Sequence, residues 1–408
     1  LVNDEDDTLK IFFELREFRS PYHSMRFAND IASSFVEGKT IEWIPLHHNI
    51  PIGKYSSDSY NFNTLSSADL EFYNKNPKFI LPISRKNEVI SFVKRGLKDL
   101  SVSRKSFSWG IKVPNNKKHV IYVWLDALTN YLSALNYPNL EDKLFKNFWP
   151  ATLHIIGKDI LRFHAIYWPA FLLAADVKPP NRVYGHGWIL SDKEKMSKSK
   201  GNILDPLEMI KIYGLDQLRY YLIKEVSLGK DGNISNKNIE NCINSDLANN
   251  YGNFCQRTFS FAEKNCKGIV PIDIDFNSED LKLLNSFSDN IKKIRSFMDY
   301  QLLNEYVKFI IDKSFDANKY FNDEAPWNKK DDKKRLNTIV YVSLEVIRKI
   351  SILLLPIIPN SASKALTSLN LNIKTLKLDS ISDHLAIKPG SKLNNQGILF
   401  KKIEKSDG

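Results

Sequence analysis

The stretch Thr152-Leu-His-Ile-Ile-Gly-Lys-Asp-Ile160 decides the fold. A short run of strand formers, Thr152 to Ile156, meets a glycine, and Asp159 then opens a helical pattern reaching about Ala175. Further units of the same kind flank it. Upstream, His119-Val-Ile-Tyr-Val-Trp124 reads as a buried strand and Asp126 to Leu135 as a short helix; downstream, Val183-Tyr-Gly-His-Gly-Trp-Ile189 reads as another strand. This β-α-β-α-β order over about 116–200 predicts an α/β domain built on a doubly wound parallel sheet. Such a sheet binds ligands at the carboxyl ends of its strands.

Working outward, the helix signals sharpen after Gly201. Asp205 as N-cap, Pro206 in the first turn and Glu208 at the third position start one helix, and Gly214 is placed to end it. A second helix is expected from about Asp216 to Glu225. From 236 to 385 apolar residues keep a helical period through Leu281–Met298, Leu302–Phe315 and Leu336–Leu355, which predicts an all-α helix bundle. The tail 386–408 is expected to run extended over the surface. Residues 1–75 begin acidic (Asp4 to Asp7) and show no sustained period, so no architecture is assigned to them.

The composition bounds the class. At 408 residues and 47.1 kDa the chain exceeds one ordinary core, so two or three domains are expected and a single small module is excluded. With 43% hydrophobic and 26% charged residues and a mean hydropathy of −0.33, the balance is that of a globular protein in water. The longest apolar run, Ile352 to Pro359, is broken by two prolines and is too short to span a bilayer. A formal charge of +11 and a pI near 9.2 favour a polyanionic partner, nucleic acid first and phosphorylated small molecules second. The three cysteines, Cys242, Cys255 and Cys266, form no CxxC pair, so neither a disulfide framework nor a zinc knuckle is expected. The chain begins with Leu rather than Met, which reads as processing or truncation.

The sharpest chemical signal is Lys195-Met-Ser-Lys-Ser199, followed by Lys200-Gly201-Asn202 and set between a strand and a capped helix. Lysines on such a loop can close over a triphosphate and offset charge that builds on departing pyrophosphate. A generic pair of loop lysines is more often a solvated turn; here the whole pentapeptide stands at the mouth of a sheet. Gly157-Lys-Asp-Ile160 follows a strand and opens a helix, so free backbone N–H groups and Lys158 face the edge where an anion could bind.

The pentapeptide Lys195 to Ser199 resembles, letter for letter, the lysine loop of the class I aminoacyl-tRNA synthetases. The resemblance implies a Rossmann-like catalytic domain and ATP as substrate, bound with Mg2+, with Lys158, Trp168, His186, Lys195, Met196, Ser197, Lys198 and Ser199 at the ATP site. It makes Lys195, Lys198 and Lys158 the catalytic residues, Lys198 being usually the more important of the loop pair. The stretch Tyr122-Val-Trp-Leu-Asp-Ala-Leu-Thr-Asn-Tyr131 is similar to the methionine-specific members of that family. By that similarity Trp124, Ala127, Leu128 and Tyr131, with Ile160 and His164, wall the methionine side chain, and Arg104 lies near its carboxylate. A thioether suits a dry, polarizable aromatic pocket with one polar edge. Ile160, His164 and Trp168, at i, i+4 and i+8, share a helix face. Read without the lysine loop, Trp124 and Tyr131 would pass for core aromatics and His164 for a satisfied core histidine.

In the helical part, Asp323-Glu-Ala-Pro-Trp327 resembles the element that carries the family's anticodon-stacking tryptophan. A tryptophan after a helix-breaking proline can stand exposed as a platform for a base, or it can plug the helical core. Asp246-Leu-Ala-Asn-Asn250 resembles the helix that reads anticodon bases, although some relatives have Arg at Asn250. The resemblance runs from about 76 to Glu404 and divides the chain into a second half of the catalytic domain (76–204), linking helices of a stem-contact region (205–235), an anticodon-binding bundle (236–385) and a tail (386–408). A remnant of a connective insertion is one reading of 1–75.

The family's other signature, His-Ile-Gly-His after the first strand, is missing, and Leu46-His-His-Asn-Ile-Pro-Ile-Gly53 has the wrong spacing for it. The expectation is a methionine–tRNA ligase, or a piece lacking the first half of the nucleotide-binding fold, whose catalysis would suffer without those phosphate contacts. Its partners are methionine, ATP and methionine tRNA, in the cytoplasm, with no membrane and no zinc or other resident metal. Two other readings stay open: a non-catalytic tRNA-binding derivative, and a class I ligase for another apolar amino acid.

Overall fold

The computed structural model describes residues 70–97, 103–106, 108–109, 112–113, 116–121, 123–174, 177–191, 193–196, 202–384 and 386–404. The chain divides into two units, residues 1–186 and 187–408.

In the first unit, three short strands form the parallel sheet that the sequence predicts. They are β1 (Ile80–Leu81), β5 (His154–Gly157) and β6 (Val183–His186), in the order β1-β6-β5. The register pairs His154 with Val183 and Gly157 with His186. Between β1 and β5 the chain forms α1 (Ile83–Lys94), β2 (Ser103–Arg104), β3 (Lys112–Val113), β4 (Asn116–Ile121), α2 (Val123–Ser133) and α3 (Lys143–Phe148). α4 (Trp168–Ala174) belongs to the crossover from β5 to β6.

One expectation is corrected here. The run at 119–124 does not join the parallel sheet: β4 pairs antiparallel with β2 and β3, and helix α2 begins three residues earlier than read, at Val123. A continuous apolar run does not declare its partners. Only two residues separate Val113 from Asn116, which permits a hairpin and rules out a parallel crossover.

Two apolar clusters stabilise this unit. One gathers Phe79, Ile80, Val89, Val93, Ile156 and Val183; the other gathers Leu128, Leu132, Tyr137, Trp149, Trp168 and Leu172. Each fully buried Leu, Ile or Val contributes roughly 1.5–3 kcal/mol. The helical stretch read from Asp159 to Ala175 forms in pieces: a 3-10 turn at Lys158–Ile160, wide π-type turns at Phe163–Tyr167, then α4.

In the second unit the strand read through 183–189 breaks. β7 (Ile189–Ser191) belongs to another sheet, paired antiparallel with β8 (Glu194–Lys195) and parallel with β9 (Gly232–Ile234). The break falls at Gly187, where a Cβ would stand 2.1 Å from the Lys230 carbonyl oxygen. The predicted capped helix forms as α5 (Pro206–Tyr213), with Leu207 N–H donating to the Asp205 side chain, and Gly214 ends it at φ 92°. The second expected helix is α6 (Leu215–Glu225).

The helical bundle comprises α7 (Asn236–Cys242), π-type turns at Ile243–Gly252, α8 (Asn253–Cys266), α9 (Ser278–Ser288), α10 (Ile291–Asp299), α11 (Leu303–Glu324), α12 (Lys333–Leu354) and α13 (Pro359–Ser368). α12 is buried on every side from Thr338 to Leu354, as befits a central helix. Its charged residues are all partnered. Arg348 donates to Glu345 at 2.7 Å and to the carbonyls of Ser380 and Asp383, and Lys349 reaches the carbonyls of Ile381 and Asp383. Burial, with Arg348 beside it, pushes the Lys349 ammonium down to about 8. Among its described residues the tail beyond 386 contains no helix, but it is not confined to the surface: Ile387, Leu393 and Phe400 are buried.

Candidate functional site

In the first unit α2 carries Trp124, Ala127, Leu128 and Tyr131 on one face, at i, i+3, i+4 and i+7. Leu128 is buried, Ala127 exposed, and Trp124 and Tyr131 are half-buried. Trp124 stacks on Phe163, ring centroids 4.0 Å apart, and presents an edge to His164 at 6.4 Å. Tyr131 packs on His154 at 4.3 Å, His164 at 5.6 Å and Trp168 at 6.2 Å. The helix face and the π-type turns therefore bring together Trp124, Tyr131 and His164, three of the six side chains expected to wall a methionine, while Ile160 packs against the other apolar cluster.

The protons in this cluster are ordered. His164 Nδ1 lies 3.1 Å from the Ile160 carbonyl, which only accepts, so Nδ1 carries hydrogen. Burial holds the His164 pKa below its ordinary value, leaving the ring neutral and Nε2 an acceptor. Tyr131, whose pKa burial raises, stays protonated and donates to Nε2 at 2.9 Å.

His154 also belongs to this cluster, and sequence reading passed over it. It opens β5, is 7% exposed, and its pKa is pushed down to about 4, chiefly by burial and then by His164. Its Nδ1 has no hydrogen-bond partner among the described residues, nor has Trp168 Nε1. The only signal in the sequence was a histidine inside an apolar strand, which is also how a core histidine looks. Trp168, expected at the ATP site, is fully buried against Tyr131 and Trp149, so it supports the aromatic wall from within.

The carboxyl ends of β5 and β6 set Gly157 opposite His186. A Cβ on Gly157 would stand 2.5 Å from the Asp159 carboxylate, which a turn of that side chain could relieve, and 3.9 Å from His186 Cε1. Lys158 opens the 3-10 turn that follows, half-buried, with Ile160 at the turn's end. Arg104 lies in β2; its side chain falls outside the described residues.

In the second unit, Lys195 ends β8 with its Nζ 4.1 Å from the centre of the Trp188 ring. The hairpin pairs Leu190 with Lys195, and the Asn202 amide donates to the Lys195 carbonyl at 3.3 Å, tying the far side of the loop to its base. Met196 is half-buried, while Ser197, Lys198 and Ser199 lie outside the described residues.

Of the residues expected to meet tRNA, Trp327 is 41% exposed, behind Pro326 in a short 3-10 turn. One edge rests on Phe321, centroids 6.1 Å apart. Asp246 and Asn250 are placed otherwise. Asp246 accepts from the Tyr220 hydroxyl at 2.7 Å and pairs with Lys224 at 2.6 Å. Asn250 exchanges hydrogen bonds with Ser314, Asn318 and the Ile311 carbonyl. Both are buried, and their polar atoms are spent on holding the helices together.

Comparison with known proteins agrees with this arrangement. Residues 48–259 match the family model described as tRNA synthetases class I (M), and residues 270–408 match the anticodon binding domain of methionyl tRNA ligase. A methionine–tRNA ligase of Rickettsia felis is 46% identical over 373 residues, covering 90% of this chain and 70% of the relative. One of Brucella suis is 46% identical over 333 residues, covering 81% of this chain and 62% of the relative. Among solved structures, the Mycobacterium tuberculosis methionyl-tRNA synthetase in complex with methionyl-adenylate superposes with a TM-score of 0.79 at 40% identity, covering 87% of this chain and 71% of that one. With both of its halves matched, the chain belongs to the methionyl-tRNA synthetases, the methionine–tRNA ligases of class I.

Proposed function

We propose that the protein activates methionine with ATP and transfers it to methionine tRNA. The methionine carboxylate attacks the α-phosphate of Mg-ATP, giving methionyl-adenylate and pyrophosphate; a hydroxyl at the 3′ end of the tRNA then attacks the adenylate's carbonyl carbon, breaking the acyl–phosphate bond to give the ester and AMP, with loss of the hydroxyl proton. Mg2+ enters with the ATP as part of the substrate. The observation that carries the reading is the hydrogen-bonded Tyr131–His164 pair inside an aromatic wall, in a chain of this family.

Trp124, Ala127, Leu128, Tyr131, Ile160 and His164 select the methionine side chain, with Trp168 backing Tyr131, and Arg104 meets the carboxylate. Lys158 and His186, at adjacent strand ends, help to bind ATP. Lys195 and Lys198 offset charge on the departing pyrophosphate, with Met196, Ser197 and Ser199 beside them at the ATP site. Trp327 stacks a base of the anticodon, and Asp246 and Asn250 act indirectly, by fixing the helices of the bundle that presents it. The working compartment is the cytoplasm, a reducing setting that suits a chain whose Cys242, Cys255 and Cys266 are free thiols. Among the described residues no helix is long and apolar enough to cross a membrane.

Methionine-dependent ATP–pyrophosphate exchange in the protein that carries these residues tests the reading, with Lys198→Ala beside it. A loss of about 100-fold or more in the variant is expected. Exchange indifferent to methionine, or unchanged by the substitution, overturns it.

A further inference from the structure

The register of the β7–β8 hairpin sets an aromatic ring beside the first lysine of the loop. Leu190 lies directly opposite Lys195, and Trp188, two residues before Leu190, is therefore diagonal to Lys195 on the same face. The Lys195 ammonium stands over the Trp188 ring, 4.1 Å from its centre, where a slip of one residue would have turned it to the opposite face. The pairing is anchored at several points. At the turn, Lys193 adopts φ 67° and donates its N–H to the Asn233 side chain, and the Asn202 amide holds the Lys195 carbonyl. Trp188 itself is clamped through its backbone, donating to Asp231 at 2.8 Å and accepting from Gly232 at 2.9 Å. The ring is half-buried and Lys195 is exposed. Among the described residues no carboxylate pairs with the Lys195 ammonium, and Glu194, next to it in β8, falls on the other face by alternation.

We propose that Trp188 is the positioning residue of Lys195: its ring holds one side of the ammonium and keeps the cation in place for the phosphates of ATP. The proposal rests on the reading of Lys195 as a lysine that offsets charge on pyrophosphate. A lysine stem has four rotatable bonds and spreads its charge over many positions, whereas stabilising a transition state requires a charge fixed in advance. A carboxylate would fix the ammonium but would also cancel the charge that the phosphates need. An indole face fixes it through the ring quadrupole, leaves the charge whole, and leaves N–H groups free to donate to phosphate oxygens. A lysine stem can also lie over a ring merely to cover apolar surface. The two cases are separable, because fluorine on the indole draws electron density from the ring face and weakens its hold on a cation stepwise, while the shape and apolar area of the ring hardly change.

The experiment measures methionine-dependent ATP–pyrophosphate exchange, with kcat and the ATP and methionine KM values taken separately, in the full protein that carries these residues. Mono-, di- and trifluorotryptophan are placed at position 188 in turn, in the native background and beside Lys195→Ala; Trp188→Leu is measured as well. Melting curves verify that each protein is folded. Across the fluorinated series log kcat is expected to fall in proportion to the cation affinity of the ring, by about 2- to 5-fold in all, the kinetic equivalent of an exposed cation–ring contact. The methionine KM is expected to stay constant, and beside Lys195→Ala the series is expected to be flat. A flat series in the native background, with exchange still lowered by Lys195→Ala, overturns the role of Trp188 alone and makes the ring an apolar cover. Exchange unchanged by Lys195→Ala removes the reading of Lys195, and the assignment of Trp188 with it. A series that stays graded without the lysine also overturns the proposal, since the ring then acts on another group.

Discussion

The Tyr131 hydroxyl and His164 Nε2 lie 2.9 Å apart, and the other nitrogen of His164 is held by the Ile160 carbonyl at 3.1 Å. A backbone carbonyl thus sets the imidazole tautomer, and the imidazole sets where the phenol proton points. The two bonds together hold the Tyr131 oxygen in one fixed orientation.

Removing that hydroxyl leaves a buried imidazole nitrogen without its donor, a cost of about 1–3 kcal/mol. Tyr131→Phe is therefore expected to raise the methionine KM by roughly 5- to 100-fold, with a smaller effect on kcat. Exchange kinetics at varied methionine check this. An unchanged KM would detach the hydroxyl from recognition of methionine.

Two buried neutral histidines make stability depend on pH. The His154 pKa is lowered in the folded protein from 6.5 to about 4, so between those values the unfolded chain binds the proton that the folded one refuses. Stability is therefore complete above pH 6.5 and falls as the pH drops toward 4. The full loss is about 3 kcal/mol from His154, and His164 acts in the same direction. Urea unfolding at pH 7.5, 6 and 5 measures the trend. His154→Phe, which keeps a ring against Tyr131, is expected to flatten it, and an equally steep trend in that variant would show that another group titrates.

What was legible in the sequence was what local chemistry determines. Asp205, Pro206 and Gly214 announce α5 through a cap, a fixed φ and a residue that tolerates φ 92°, and all three sit where expected. Strand pairing was not legible in the same way, because the apolar run at 119–124 suits either sheet and only the short gap after Val113 speaks against the parallel one. Leu281–Met298 keeps its period across the turn at Asp289 and Asn290, where α9 ends and α10 begins. The π-type turns that carry His164, Asp246 and Asn250 have no sequence signature comparable to a cap. Of the site, the motif residues could be named in advance. His154 could not, since its significance lies in what folding sets beside it, Tyr131.

Trp327 depends on a strained hinge. Ala325, which ends α11 before Pro326, has φ 42° and ψ 64°, a left-handed conformation that costs an alanine about 1–2 kcal/mol. Ala325→Gly relieves this strain but adds roughly 0.5–1 kcal/mol of chain entropy to the unfolded state. The net expectation is a gain of a few tenths to about 1 kcal/mol, seen as a higher urea midpoint at unchanged m-value. If the midpoint falls instead, the turn is not strained. Because glycine also loosens the turn, hairpin RNA binding is expected to weaken as stability rises, which separates this variant from an ordinary surface substitution.

Gly187 gives the most severe expectation. A Cβ there would lie 2.1 Å from the Lys230 carbonyl oxygen and 2.6 Å from the Asp231 nitrogen, both backbone atoms that no rotamer change can move. The contact is close because Trp188 N–H donates to the Asp231 side chain at 2.8 Å and Gly232 N–H donates to the Trp188 carbonyl at 2.9 Å, drawing the two segments together. Gly187→Ala must push them apart, which disturbs the pairing of β7 with β9 and moves Trp188, over which Lys195 lies. A loss of about 2–4 kcal/mol in stability is expected, the range of a forced overpacking aggravated by broken backbone hydrogen bonds. Methionine-dependent exchange should fall further than stability accounts for when measured well below the melting point. Methionine binding itself should change little, because the Tyr131–His164 wall is built from residues 124–168. If Gly187→Ala weakened methionine binding as much as exchange, the damage would be general, and the link from Gly187 through Trp188 to Lys195 would be wrong.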